Sequence, residues 1–282
     1  MKKLLLILSL CSNALFAQNA EVDSTDEEIR PVTSSLSLGI GDGKMRDTYL
    51  TNLLYDGVAV DIHYDRTRMM RFHKWNNLQS LDLSFMSGDD QQGGLTSAMD
   101  GRIRYRYAMH RVWTLDKFCF FVGPYIGMDL GFNYNIKLSS GNNPATVRLT
   151  ENLGLSCGAG WNYSIRRQPC KVDLLVQTPL LGSALVPEYG ASYYETFYLQ
   201  KDVDKSIHST WLRNQQDLDI RLTTDLPFSI APCFKRYGSS LRLGVAYHIE
   251  TMDINHIVTR NSTLQFVLGW TWQYLPYKAP RP

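Results

Sequence analysis

Three groupings of side chains in this 282-residue chain are of the types that acid–base chemistry uses. Asp61, His63 and Asp65 sit at alternate positions, and an imidazole beside carboxylates can take a proton from water. His248 and Glu250 have the same spacing. His208 and Ser209 are adjacent and would supply a base and a nucleophile. Each grouping also has a plain structural reading. Alternate residues of an extended chain share a face, and adjacent residues point apart. The triplet is therefore also what a histidine satisfied by acidic neighbours looks like, and His208 and Ser209 form a dyad only in a loop. The chain has no nucleophile elbow, HExxH, P-loop or GxGxxG motif. Enzymatic activity is the minor expectation, with a hydrolase acting on lipid or peptide as its form. No cysteine or histidine spacing matches a metal site, and no cofactor is expected.

A larger ionic set falls on one parity of the extended segments. It comprises Asp61, Asp65, Asp82, Asp100, Asp129, Asp173, Asp217, Asp219, Asp225 and Glu250, opposed by Arg102, Arg104, Arg106, Arg221 and Arg242. If that parity faces the inside of a barrel, its charges must pair, because an unpaired buried charge is costly. Barrels of about eight strands have filled interiors, and those of roughly 16–18 strands hold an aqueous channel. The expectation is a lumen charge network that closes or narrows the barrel. The sharper alternative is a narrow selective pore for small solutes, lined by the Arg102, Arg104 and Arg106 ladder.

The elements that place these residues read as strands. About ten segments show period-two alternation. They lie near 32–41, 57–69, 75–87, 98–111, 118–134, 149–165, 171–181, 217–222, 238–252 and 264–274. In the fifth, Phe120, Val122, Ile126, Met128, Leu130 and Phe132 alternate with Gly123, Tyr125, Gly127, Asp129 and Gly131. Short helices are allowed only near 43–55 and 185–212. Long connections (42–56 and 88–97), an intermediate one (138–145) and the longest (182–213) alternate with short ones (70–74, 113–117 and 166–170); 228–237 follows the longest, and 253–261 closes the series. Membrane barrels have long outer loops and short periplasmic turns. The fold expected is all-β, an antiparallel up-and-down transmembrane β-barrel of about ten strands (8–12), with N- and C-termini periplasmic.

A soluble barrel alternates too, with its apolar face inward. Rings at strand ends argue for apolar-out. Trp113, Phe118, Phe120, Trp161, Tyr163, Trp270, Trp272 and Tyr274 all fall at one expected end, as in an interfacial girdle. The chain opens Met1-Lys2-Lys3, an apolar run, then small residues to Ala17, the pattern of a secretory signal peptide. Cys11 offers a lipoprotein alternative, disfavoured by Leu10 before it. The expected organisation is a signal peptide at 1–17, an acidic disordered leader at 18–31, the outer-membrane barrel at 32–275 and a periplasmic tail at 276–282. The net charge of +2 gives no reason to expect nucleic acid as a partner. Outer-membrane lipid is the expected surrounding.

The longest connection is rich in rings. Tyr189, Tyr193, Tyr194, Phe197 and Tyr198 could meet another envelope protein or a glycan. Asp23-Ser24-Thr25 is a three-residue match to a bacterial O-glycosylation acceptor. Cys170 and Cys233 both fall in expected periplasmic turns and form a candidate disulfide. Cys157, on the apolar parity, is expected to carry a free thiol towards lipid.

At Asp47-Thr48-Tyr49-Leu50 and Tyr189-Gly190-Ala191-Ser192-Tyr193-Tyr194-Glu195, within the strand pattern, the chain resembles a family of uncharacterised bacterial outer-membrane β-barrels, porin-like and of unknown function. The resemblance spans most of 33–275 and implies a location without an activity. The tail beyond Tyr274 departs from barrels that end on a C-terminal Phe. In class alone, enzymatic barrels are of similar size: omptin-type proteases use acidic pairs with a histidine, and barrel phospholipases use Ser with His. The leading functional expectation is a structural, binding or accessory role through the aromatic outer loops.

Overall fold

The computed structural model describes residues 31–70, 74–91, 96–136, 145–165, 168–186, 206–227 and 239–274. The strands are β1 (Val32–Asp47), β2 (Tyr55–Met69), β3 (Trp75–Asp90), β4 (Ser97–Leu115), β5 (Phe118–Asn135), β6 (Ala145–Ile165), β7 (Gln168–Leu185), β8 (Ile207–Trp211), β9 (Gln215–Pro227), β10 (Ser240–Ile254) and β11 (Ile257–Tyr274). Every neighbouring pair is antiparallel, and β1 returns to β11 from Val32↔Tyr274 to Asp47↔Thr259, which closes the sheet. β8 pairs with the upper part of β7, from Leu181↔Trp211 to Leu185↔Ile207. β9 pairs with its lower part, from Lys171↔Asp225 to Gln177↔Asp219. β8 and β9 therefore share one place beside β7, and eleven strands make a closed barrel of ten positions. The end holding Val32 and Tyr274 is called the terminal end below, and the opposite end the far end.

Period-two alternation decides what faces in. On β1, Leu36, Leu38 and Ile40 are 49%, 42% and 51% exposed, whereas Ser35 and Ser37 are buried. On β11 the exposed set is Leu264, Phe266, Leu268 and Trp270. The polar parity is inside and the apolar parity outside, the reverse of a soluble barrel and the arrangement suited to hydrocarbon. Trp113, Phe118, Phe120, Trp161, Trp270 and Tyr274 are exposed at the terminal end. There Phe118 stacks on Trp161 and Trp161 on Tyr163, with ring centroids 6.1 and 5.1 Å apart. Cys157 lies on the outward parity of β6 with a free thiol.

Glycines on the inner parity make room for rings. A Cβ on Gly154 would come within 2.4 Å of the Tyr125 ring, and one on Gly158 within 2.4 Å of the Phe121 ring. The two aromatics can lie flat against the wall only because those positions are bare.

Several strands outrun their sequence boundaries. β1 continues to Asp47 and β2 begins at Tyr55, so the connection expected at 42–56 shrinks to 48–54. The long connection expected at 253–261 is a tight turn at Asn255-His256, both with positive φ (56° and 63°). That geometry is a two-residue hairpin, whose turn matches the twist of its strands. The alternation of long and short connections thus fails at the last two, because 228–239 is long at the terminal end and 255–256 is tight at the far end. Among the described residues there is no α-helix: 43–47 and 207–211, within the segments allowed for helix, are strand.

Candidate functional site

The lumen has three levels, and each is built from inward residues of several strands. Midway along the barrel, β4 presents Arg102, Arg104 and Arg106, all buried. Their shortest polar contacts are to the opposite wall. Arg102 Nη2 is 2.8 Å from Glu250 Oε2 of β10. Arg104 Nη1 lies 3.0 Å from His248 Nδ1, also on β10, and 3.6 Å from Asp219 of β9. Arg106 Nη1 donates to Asp219 Oδ2 at 2.7 Å and to Gln177 Oε1 of β7 at 2.9 Å. In return, Arg221 of β9 reaches Asp65 of β2 at 3.2 Å and Asp82 of β3 at 3.6 Å. The ion pairs therefore run wall to wall across the lumen. In a low-dielectric interior that is the arrangement that keeps charges from standing alone.

Asp100, Asp129, Asp173, Asp217 and Asp225 also stand beside cations, whereas Asp61 has only His63 at 4.0 Å and an unmet Oδ1 among the described residues. Asp100 lies 3.8 Å from both Arg102 and Arg148, and Asp129 lies 3.9 Å from Arg102. Asp217 is 3.8 Å from Arg106 and 3.3 Å from His248. Towards the terminal end, Arg242 makes a two-pronged pair with Asp225, at 2.8 and 2.9 Å, and donates to Ser35 Oγ. Lys171 and Asp173 pair at 2.8 Å. A cavity of about 10 Å³ beside Arg148 and Glu250 has room for one water.

The candidate catalytic groupings come apart. His63 Nδ1 is held by Asp82 Oδ1 at 2.7 Å, and its Nε2 stands 4.0 Å from Asp61. Asp65 instead accepts from Ser80 and Arg221. His248 is clasped by Arg102 and Arg104, and Glu250 faces Arg102. His208 and Ser209 are successive residues of β8, where side chains alternate, and they stand opposite Ala184 and Ser183. A Ser–His contact that the structure does form was not legible in the sequence. His110 Nε2 is 2.8 Å from Ser156 Oγ, which also accepts from Gln177 at 3.1 Å. Ser156 is fully buried, so no substrate reaches its hydroxyl. Among the described residues, no three of His, Cys, Asp and Glu converge as metal ligands.

The far end is closed by a different chemistry. Its inner wall carries two apolar clusters: Met45, Tyr55, Ala59, Met86 and Ala98 on one side, and Ala184, Val186, Met252, Ile254 and Ile257 on the other. The 48–54 connection packs on both, through Leu53 and Tyr49 respectively. Asp47, at its base, accepts from Asn133 and Thr146 at 2.7 and 2.8 Å. Asn135 donates to Tyr55 Oη at 3.0 Å. Those partners stand on β5 and β6, which adjoin neither β1 nor β2, so these bonds also cross the lumen. Arg46 and Asn52 hydrogen-bond along the connection.

The terminal end shows a recess among the described residues. There a cavity of about 160 Å³ leads inward, with Lys171, Asp173 and Arg242 among its lining residues and Arg221, Leu78 and Phe121 among the others. The sequence missed Asp47, Arg148, His110, Ser156 and Gln177. The aromatic residues Tyr189, Tyr193, Tyr194, Phe197 and Tyr198, and Cys233 of the candidate disulfide with buried Cys170, lie outside the described residues.

The fold is that of outer-membrane β-barrels. The outer membrane protease OmpT from Escherichia coli aligns over 89% of this chain and 100% of its own, at 8% identity and a TM-score of 0.51. The transport unit of the autotransporter AIDA-I from Escherichia coli aligns over 94% of this chain and 98% of its own, at 10% identity and a TM-score of 0.41. For the translocator domain of the autotransporter NalP from Neisseria meningitidis the shares are 97% and 98%, at 7% identity and a TM-score of 0.38. At such identities the likeness to OmpT is one of fold, and the looser two add no argument. No curated protein matches the sequence. Residues 3–278 match a family described as a protein of unknown function, DUF3316.

Proposed function

The chain belongs to this DUF3316 family, whose description assigns no activity, and from that premise we propose a non-conducting outer-membrane barrel with a structural, binding or accessory role. In this reading residues 1–17 are a cleaved signal peptide, 18–31 an acidic leader and 276–282 a periplasmic tail. The barrel sits in the bacterial outer membrane with both termini periplasmic, surrounded by lipid. The aromatic segment holding Tyr189, Tyr193 and Tyr194 meets another envelope protein or a glycan outside.

The observation that carries the reading is the wall-to-wall pairing of Arg102, Arg104 and Arg106 with Glu250, His248 and Asp219. A selective pore needs charged groups that are free to meet a passing solute. Here every guanidinium of the ladder is engaged by the facing wall. The girdle of rings at the terminal end and the apolar outer face support the membrane location. Proteoliposomes test the transport side. Those carrying the full chain should swell in small sugars and amino acids no faster than empty liposomes. Swelling above that background, lost on neutralising the three arginines, would establish the narrow pore instead.

A further inference from the structure

On the outer wall, the outward residues of β2 read Ile62, Tyr64, Arg66 and Arg68 towards the terminal end, an order from hydrocarbon to ring to cation. Alternate residues of a strand share a face, and Ile62, 44% exposed, fixes that face as the outer one. Tyr64 stands opposite Leu81 of β3, and Leu81 opposite Tyr105 of β4. Further along β4, Arg111 shares the outward parity of Ile103 and Met109, and its guanidinium lies 5.9 Å from the centre of the Trp75 ring. Lys74 and Lys117 are exposed in the turns beside it.

This arc is of one sign. On the outer surface of β2 to β5 at the terminal end, Asp116 is the only carboxylate among the described residues. None of the five cations forms an ion pair there. The far end differs, because its outward set mixes Asp42, Asp56 and Asp253 with Lys44 and Arg260. Neighbouring cations without partners repel one another, and an anion between them relieves the repulsion. The depth of the arc says which anion. Rings of a girdle mark the level of lipid headgroups, and Arg66, Arg68 and Arg111 stand among such rings, projecting sideways from the wall rather than off its end. A soluble acidic partner would meet cations at the rim, whereas these are placed for a neighbour lying alongside the barrel.

We propose that Arg66, Arg68, Lys74, Arg111 and Lys117 form a binding site for anionic phospholipid, the guanidinium forks meeting the headgroup phosphate and the acyl chains lying against Ile62, Leu83 and Ile103. The site rests on the reading of the barrel as embedded in a membrane with its ring girdle at the lipid surface. Insertion into phosphatidylcholine alone, read by heat-modifiable migration on a gel, tests that reading independently of headgroup charge.

Native mass spectrometry of the full chain, released from neutral detergent holding equal phosphatidylglycerol and phosphatidylcholine with identical acyl chains, reads which lipid binds first. Phosphatidylglycerol should be preferred by about fivefold or more, the gain that one cation near an anionic surface supplies. Arg66→Gln with Arg68→Gln should bring the preference close to unity in a barrel that still folds. Lys44→Gln with Arg260→Gln removes the same charge at the far end and should leave the preference unchanged. A wild type that inserts but shows no preference overturns the proposal and leaves the membrane reading standing, whereas failure to insert removes both. Equal loss in the two variants, or loss in neither, also overturns it. So does displacement of phosphatidylglycerol by polyglutamate, which would give the arc to a soluble acidic partner. Should the Arg66 and Arg68 variant fail to fold, Lys74→Glu, in an exposed turn, decides by the same reading.

Discussion

At the scale of single residues, the same ionic types have very different weight according to depth. Arg106 is buried and meets Asp219, Gln177 and, at 3.8 Å, Asp217. Removing it leaves Asp219 without its nearest cation. Breaking a buried pair from one side destabilises by roughly 3–5 kcal/mol. Arg106→Ala should therefore lower the denaturant midpoint of the folded band on heat-modifiability gels by a matching amount. Lys171→Ala removes an ion pair with an exposed cation, of the kind that contributes about 0–1 kcal/mol, and should leave that midpoint almost unmoved. The parity of Asp and Arg was legible in the sequence, and so was the conclusion that these charges must pair. Their partners were not. Arg106 finds Asp219 because β4 faces β9 across the closed sheet, and that follows from closure and not from any local spacing. The triplet Asp61, His63 and Asp65 shows the converse: spacing put three groups on one face, and the lumen shared them out to Asp82 and Arg221. Ser156 and Gln177 carried no signal, because neutral polar residues on an inner parity are ordinary.

At the scale of elements, the sequence placed all ten barrel positions but drew most strands short at the far end. The reason is physical. Period-two contrast needs one face polar. Midway along the barrel, Asp and Arg supply it. At the far end the inner face turns apolar, with Met45, Met86 and Ala98 on one side and Met252, Ile254 and Ile257 on the other. The alternation fades there although the strands continue. The same fading made Asn255-His256 look like part of a long loop. In fact both residues adopt the left-handed region, which an Asn tolerates and a β-branched residue does not. Both Asn255→Val and Asn255→Gly lose the hydrogen bond from Asn255 Nδ2 to Val186 O, but only the valine adds left-handed strain, so it should cost about 1–2 kcal/mol more than the glycine. Equilibrium unfolding followed by tryptophan fluorescence separates the two.

At the scale of the whole molecule, two closures of unlike chemistry stand in series. The charge network spans the middle, and the 48–54 connection covers the far end. The connection is tied down by Asp47, through Asn133 and Thr146 on the opposite wall. Asp47→Ala should release it. The folded wild-type barrel is expected to resist proteinase K between 48 and 54, and the variant to be cut there, as read by mass spectrometry of the fragments. The sequence pointed to a filled lumen by charge alone. It could not show the cap, because Tyr49 and Leu53 are unremarkable until the opposite wall is in place. The central claim is that nothing passes through this barrel, and single-molecule recording in planar lipid bilayers tests it most directly. The account expects a silent wild type, with currents only when Arg102, Arg104 and Arg106 are replaced by alanine and 48–54 is cut to a tight turn in the same chain. Reproducible unitary currents from the wild type would contradict it.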